Sequence, residues 1–178
     1  MRIKNLIITL LSYHKKPYLC VMKMVVHNDE FFSQVLARLG EGLTTTIPVK
    51  GYSMLPFIRG GKDLVILEKA DGEIKRDDIV LFRYGGRYIM HRVLKEADGR
   101  YDIQGDGVWL GHEYPVREQI LAKATTILRA GKTPVNPYGK KQLKKVHAWQ
   151  RLGKLRRYLL FIYKHLPWNK EWLKENAI

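Results

Sequence analysis

The hydrophobic period of the chain changes twice. Over residues 28–40, Phe31, Phe32, Val35, Leu36 and Leu39 recur at helical spacing, which predicts an amphipathic helix. Asn28 can cap this helix, Asp29 and Glu30 suit its positive end, and Gly40 and Gly42 stop it. Such a stripe packs one helix face on a core and does not by itself mark a site. From residue 45 the pattern becomes a series of short β-prone runs: 45–49, 64–67, Ile79–Tyr84, 87–95 and 101–104. Gly85-Gly86 and Asp98-Gly99 predict two hairpins, because tight turns need residues that accept positive φ. Residues 118–128, with Ile120, Ala122, Ala124 and Thr126 alternating, predict a last strand or a short helix. Short, closely spaced strands with Gly-rich turns make the body mainly β, antiparallel and partly closed.

After residue 130 the period lengthens again. Gly131, Pro134, Pro137 and Gly139 mark a linker. Residues 140–174 then predict a helix broken near Pro167, with Val146, Trp149, Leu152, Leu155, Leu159, Ile162 and Leu166 as its apolar stripe. The expected organisation is an N-terminal extension (1–27), a β domain with its leading helix (28–130), and a linker plus basic helical tail (131–178). Met22 and Met24 are alternative starts that would leave residues 1–21 as an extension. Residues 1–11 resemble a weak signal peptide, but they lack a small-residue cleavage site.

Charge separates the tail from the body. Residues 129–178 hold 13 lysines and arginines against 2 acids, a balance of +11, whereas the first 128 hold 19 against 15, or +4. A basic amphipathic helix of this kind has three readings: its stripe packs on the body, it lies on an anionic membrane surface, or it binds nucleic acid. The mixture of cations, aromatics and aliphatics over residues 156–168 suits an interfacial helix. No nucleic-acid reading module is recognisable, which argues against the third. Cys20, the single cysteine, excludes an internal disulfide framework. No apolar run is long enough to span a bilayer.

One stretch invites a chemical reading. In Lys50-Gly51-Tyr52-Ser53-Met54-Leu55-Pro56, a β-prone lead-in ends at a glycine, and a serine follows at the turn. A serine hydroxyl is a poor nucleophile without a base within hydrogen-bond reach. His91, mid-strand in Ile89-Met90-His91-Arg92-Val93, is the best candidate, since an ordinary imidazole titrates near pH ~6.5. Asp106, in Gly105-Asp106-Gly107, could orient that imidazole, as the third member of a catalytic triad does. Taken alone, each residue has a plain structural reading: a turn serine, a strand histidine, a turn aspartate.

Taken in order, Gly51-x-Ser53-Met54-x-Pro56, Asp63-Leu64-Val65, Asp78 to Arg83, Ile89 to Val93 and Gly105-Asp106-Gly107 resemble the boxes of the signal peptidase I superfamily, which includes the self-cleaving LexA-type repressors. The resemblance covers about residues 45–127. It implies a coiled antiparallel β structure, Ser53 as nucleophile, His91 as base (where bacterial signal peptidases carry lysine and the endoplasmic-reticulum type histidine) and Asp106 as the third member. Gly51 stands where many signal peptidases have a serine that helps the oxyanion hole, so the hole would rest on backbone N–H groups, with Gly51, Tyr52 and Met54 around it. The endoplasmic-reticulum type carries a further aspartate beyond the Gly-Asp box; this chain has Gly111, His112 and Glu113 there. The Gly-Asp that usually precedes the Ile-Val-x-Phe strand is Asp77-Asp78.

The resulting expectation is a serine endopeptidase with a peptide or protein substrate added as a strand beside residues 45–50, and with no metal or cofactor. The expected location is the cytoplasm, with the tail either packed on the body or attached peripherally to the anionic inner face of a membrane. The competing class is a non-catalytic peptide- or membrane-binding module on the same fold.

Overall fold

The computed structural model describes residues 6–8, 24–26 and 28–166. Most of the N-terminal extension and the tail from Pro167 onward lie outside the described residues. Within the extension, β1 (Leu6–Ile8) pairs antiparallel with β2 (Met24–Val26). Helix α1 (Asn28–Gly40) follows and has the bounds its apolar spacing predicts.

The body is one open antiparallel sheet of 7 strands: β3 (Thr45–Pro48), β4 (Leu64–Lys69), β5 (Ile79–Tyr84), β6 (Arg87–Ala97), β7 (Arg100–Gln104), β8 (Ile120–Arg129) and β9 (Thr133–Val135). The spatial order is β3-β4-β8-β5-β6-β7, with β9 beside β8. Residues 118–128, which could have been strand or helix, are strand, entered through a 3₁₀ turn at Arg117–Gln119. Among the described residues there are three α-helices: α1, α2 (Lys140–Arg151) and α3 (Arg156–His165).

The core lies on both faces of the sheet. Phe31, Val35 and Leu39 of α1 pack with Ile47, Val65, Leu67, Ile79, Leu81, Ala122, Ala124 and Ile127. On the other face Val80, Phe82, Val93, Tyr101, Ile103 and Ile120 form a second cluster. β5 therefore reads Ile-Val-Leu-Phe without polar alternation, because both of its sides are covered. Register shifts at Ile66/Leu67, Leu81/Phe82 and Val93/Lys95 bend the sheet, as bulges do.

Asp63, fully buried at the start of β4, ties that strand to the end of its neighbour β8. Its carboxylate accepts from the Arg59 amide and guanidinium, from Arg129 Nη1 at 2.7 Å and from the Ala130 amide at 3.0 Å. Burial alone would raise its pKa. The hydrogen bonds from Arg59 and from the Ala130 and Arg59 amides, with the Arg129 charge, outweigh burial and hold the carboxyl below its ordinary range.

The tail departs from its predicted pattern in two ways. Part of the expected linker, Thr133–Val135, adds to the sheet as β9. The helix breaks at a 3₁₀ turn, Gly153–Leu155, well before Pro167. Gly153 sits at φ +50°, a left-handed conformation that glycine adopts without Cβ strain. Among the described residues no helix is long and apolar enough to cross a membrane.

Candidate functional site

The Ser53 turn is built by backbone bonds. Beyond β3, Gly61 N–H donates to Val49 O at 2.7 Å, which folds the 50–60 segment back on its own start. Gly51 turns the chain at φ +77°, and Gly60 packs so closely on the Gly51 backbone that a side chain there would collide. Met54, Leu55 and Ile58 are buried and anchor the turn. Leu55 N–H bonds Tyr52 O and Ile58 N–H bonds Met54 O, so Ser53 is held, half-buried, on a rigid corner.

His91 reaches the same place from β6. Its ring is nearly buried and lies 6.4 Å from the Phe82 ring. Nδ1 is 3.0 Å from Glu113 Oε2. A carboxylate can only accept, so this contact puts the proton on Nδ1 and leaves the Nε2 lone pair free in the neutral ring. Glu113 is itself fixed by two backbone bonds with Ile103, each 2.9 Å.

Nε2 faces the seam between the Ser53 turn and the 105–107 loop. A Cβ at Gly105 would stand 2.8 Å from His91 Nε2 and closer still to the Ser53 carbonyl. Gly107 N–H donates to that carbonyl at 2.7 Å. Gly105 and Gly107 leave room for the backbone of the 52–55 turn and, at Gly105, for the His91 ring. Within the described residues, neither the hydroxyl nor the amide of Ser53 donates a hydrogen bond, and Ser53 and His91 are not hydrogen-bonded to each other.

Asp106 does not occupy the orienting position expected of it. Its two carboxylate oxygens accept from Arg92 Nε at 2.9 Å and Nη2 at 2.8 Å, both side chains being only 1% exposed. The reason is strand alternation: His91 and Arg92 are neighbours on β6 and point to opposite faces. A group that pairs with Arg92 cannot also reach His91. Burial would lower the Arg92 pKa, but the charge and hydrogen bonds of Asp106 outweigh it, and the guanidinium is held above its ordinary value. Arg92 Nη1 also donates to Asp77 O at 2.8 Å. Asp77, standing where the signal peptidase pattern has glycine, is at φ +75°.

Glu113 is the residue that composition and motif reading missed as a member of the site. A signal for it existed. It falls in the short segment where the endoplasmic-reticulum branch of the resembled superfamily carries its extra aspartate.

Ser53, His91 and Glu113 all line one cleft of about 410 Å³. Its other walls are mainly apolar: Phe31 and Phe32 of α1, Ile47 and Val49 of the β3 segment, Met54, Leu81, Tyr88 and Met90. Phe32 and Tyr88 stack at 4.2 Å between ring centres. Of the three residues expected around the oxyanion, Met54 lines the cleft and Gly51 shapes the turn. Tyr52 points elsewhere, packing with Leu55 and Leu160 under the Lys164 ammonium, which is 4.8 Å from its ring centre. β3 is an edge strand that pairs only with β4 among the described residues. Among the described residues no group of three or more His, Cys, Asp or Glu side chains could hold a metal ion. No protein-family model matches the chain, and no curated protein matches it at a significant level.

Proposed function

We propose that residues 28–130 form a serine endopeptidase-like domain of the signal peptidase I and LexA type, working through Ser53, His91 and Glu113. The observation that carries this reading is the shared cleft. A histidine with Nδ1 committed to a carboxylate turns Nε2 toward the loop of a serine on a sharp turn. In this mechanism Ser53 Oγ attacks a peptide carbonyl while His91 Nε2 takes its proton. His91 then gives that proton to the leaving amine, and the released C-terminal fragment departs from an acyl-serine. Water, deprotonated by the same Nε2, hydrolyses the ester and returns Ser53. Glu113 holds the Nδ1 tautomer and stabilises the imidazolium formed in each step. The Ser53 N–H, which bonds no described residue, is the donor available to the developing oxyanion.

The substrate adds as an extended strand along the open edge of β3, where main-chain bonds bring affinity and alternate side chains enter the apolar cleft. The ordered boxes and the antiparallel sheet both support this family reading. The test is cleavage of a mixed peptide pool, read by mass spectrometry, by wild type and Ser53→Ala. Cleavage sites present with wild type and absent with the variant support the reading; identical peptide patterns refute it. The absence of a hydrogen bond between Ser53 and His91 favours one alternative, a peptide-binding module on the same fold. That module would retain pool peptides equally well in both forms and cut none.

A further inference from the structure

Helix α3 wears its apolar residues on the outside. Its inward side holds Arg156, 6% exposed, whose Nη2 donates to Gln104 Oε1 at 3.0 Å, and Leu160 against Leu55. Its outward side, with the turn before it, presents Leu155, Tyr158, Leu159, Phe161 and Ile162, each between 43% and 62% exposed. Single exposed apolar residues are ordinary. Five within eight consecutive positions form a contiguous patch, and such patches mark interaction surfaces. The break at Gly153 creates the patch by rotating α3 relative to α2. Val146, ahead of the break, is fully buried, whereas Leu155, Leu159 and Ile162, its continuation in sequence, face outward.

The charge around the patch selects its occupant. Residues 119–170 contain no Asp or Glu. Lys144, Lys145, Arg151, Lys154 and Arg157 are all exposed on α2, the turn and α3. A second copy of the chain would bring the same positive charge to the same face and be repelled. Nucleic acid would meet the cations but leave the leucine and isoleucine side chains in water. A bilayer with anionic headgroups satisfies both features.

We propose that α3 and the adjoining end of α2 dock on an anionic lipid surface, the Leu155–Ile162 patch entering the headgroup boundary while the surrounding lysines and arginines meet lipid phosphates. This docking does not depend on the peptidase mechanism. It would bring the cleft close to the membrane, since Lys164 covers the ring of Tyr52, next to Ser53, and Arg157 lies 5.4 Å from the Trp109 ring centre in the loop between Asp106 and Glu113.

The experiment is vesicle co-sedimentation of the full chain, comparing phosphatidylcholine alone with a phosphatidylglycerol–phosphatidylcholine mixture. The variants are Phe161→Glu with Ile162→Glu, and Lys144→Gln with Lys145→Gln, each checked by thermal melting. All four positions are exposed, so the melts should match wild type. The expected result is binding to the anionic vesicles only, weakened about tenfold or more by the double glutamate variant and about fivefold per removed lysine. Failure to bind anionic vesicles would overturn the proposal. So would anionic-vesicle binding that the glutamate variant leaves unchanged, which would be charge attraction without insertion. Self-association that the glutamate variant abolishes, without any vesicle binding, would assign the face to a protein contact and overturn it equally.

Discussion

Asp106→Asn and Glu113→Gln should fail in different ways, and the difference tests the site assignment. Asp106 accepts two bonds from Arg92 at 2.9 and 2.8 Å with both side chains 1% exposed. Asparagine keeps the shape and one acceptor but removes the charge, so a guanidinium is left buried beside a neutral group. Breaking a buried pair in this way costs about 3–5 kcal/mol. For a chain of this size each kcal/mol shifts the melting temperature by about 2–4 °C, so a fall of roughly 10 °C is expected. Glu113, by contrast, sits at the cleft with its side chain 23% exposed. Glutamine can still accept from Nδ1, but it no longer offers a negative charge to the imidazolium. A hydrogen bond to a charged group contributes about 1.5–3 kcal/mol. Loss of that in the transition state corresponds to roughly 10- to 150-fold in kcat, with little change in KM or melting temperature. The assays are thermal denaturation and turnover of a peptide found in the pool experiment. If Asp106→Asn melts like wild type yet loses kcat, while Glu113→Gln keeps full kcat, the assignment of the orienting carboxylate to Glu113 is wrong.

Three further outcomes follow from the geometry. Gly105→Ala should abolish turnover and destabilise the fold by about 1–3 kcal/mol, since its Cβ would crowd both His91 Nε2 and the Ser53 carbonyl; an active, stable Gly105→Ala variant would show that the three segments are not packed this closely. Asp63→Asn should be less stable than wild type near neutral pH, measured by urea unfolding. Because the folded-state pKa of Asp63 is depressed, its contribution is present above the ordinary carboxylate pKa of ~3.9 and lost as pH falls through the lower folded value, so the gap between the two proteins should close in that acid window. Trp149→Phe should cost about 0.5–1.5 kcal/mol by removing the 2.7 Å bond from Nε1 to Asp106 O, read as a lower denaturation midpoint.

Hydrophobic period alone located α1, β4, β5, β6 and β7 to within about two residues, because each is long or sharply bounded by Gly or Asp-Gly turns. β9 escaped detection because Pro134 at its centre reads as linker; it is tolerated because β9 pairs only with β8 among the described residues. The helical break escaped because Pro167 is the stronger local signal, while Gly153 acts through a single left-handed residue. The apolar positions make one stripe only on a continuous helix; with the break at Gly153, Val146 is buried while Leu155, Leu159 and Ile162 are exposed. At the site, the meeting of Ser53 and His91 in one cleft was legible from residue type and spacing. The partner of His91 was not, because a Gly-Asp-Gly turn does not reveal which way its carboxylate points. Strand alternation carried a usable warning: Arg92 follows His91 directly, so a single acid could serve only one of them.

The loop from Gln104 to Glu113 joins these observations. Toward the cleft it supplies Gly105 against His91 and Glu113 onto Nδ1. Away from the cleft, Gln104 accepts from Arg156, the Asp106 carbonyl accepts from Trp149, and the Asp106 carboxylate holds Arg92. His147 adds a 2.8 Å contact to Asp77, whose carbonyl also accepts from Arg92. Helices α2 and α3 are therefore part of the wall behind this loop, and the tail is not a detachable appendage. Deleting them would strip Trp149 and Arg156 from that loop and uncover Leu55 beneath Leu160. Loss of membrane binding or of turnover in a truncated chain could then arise from a collapsed loop alone. Substitutions confined to the outer face of α3 leave every one of these contacts in place, and they separate docking from folding where truncation cannot.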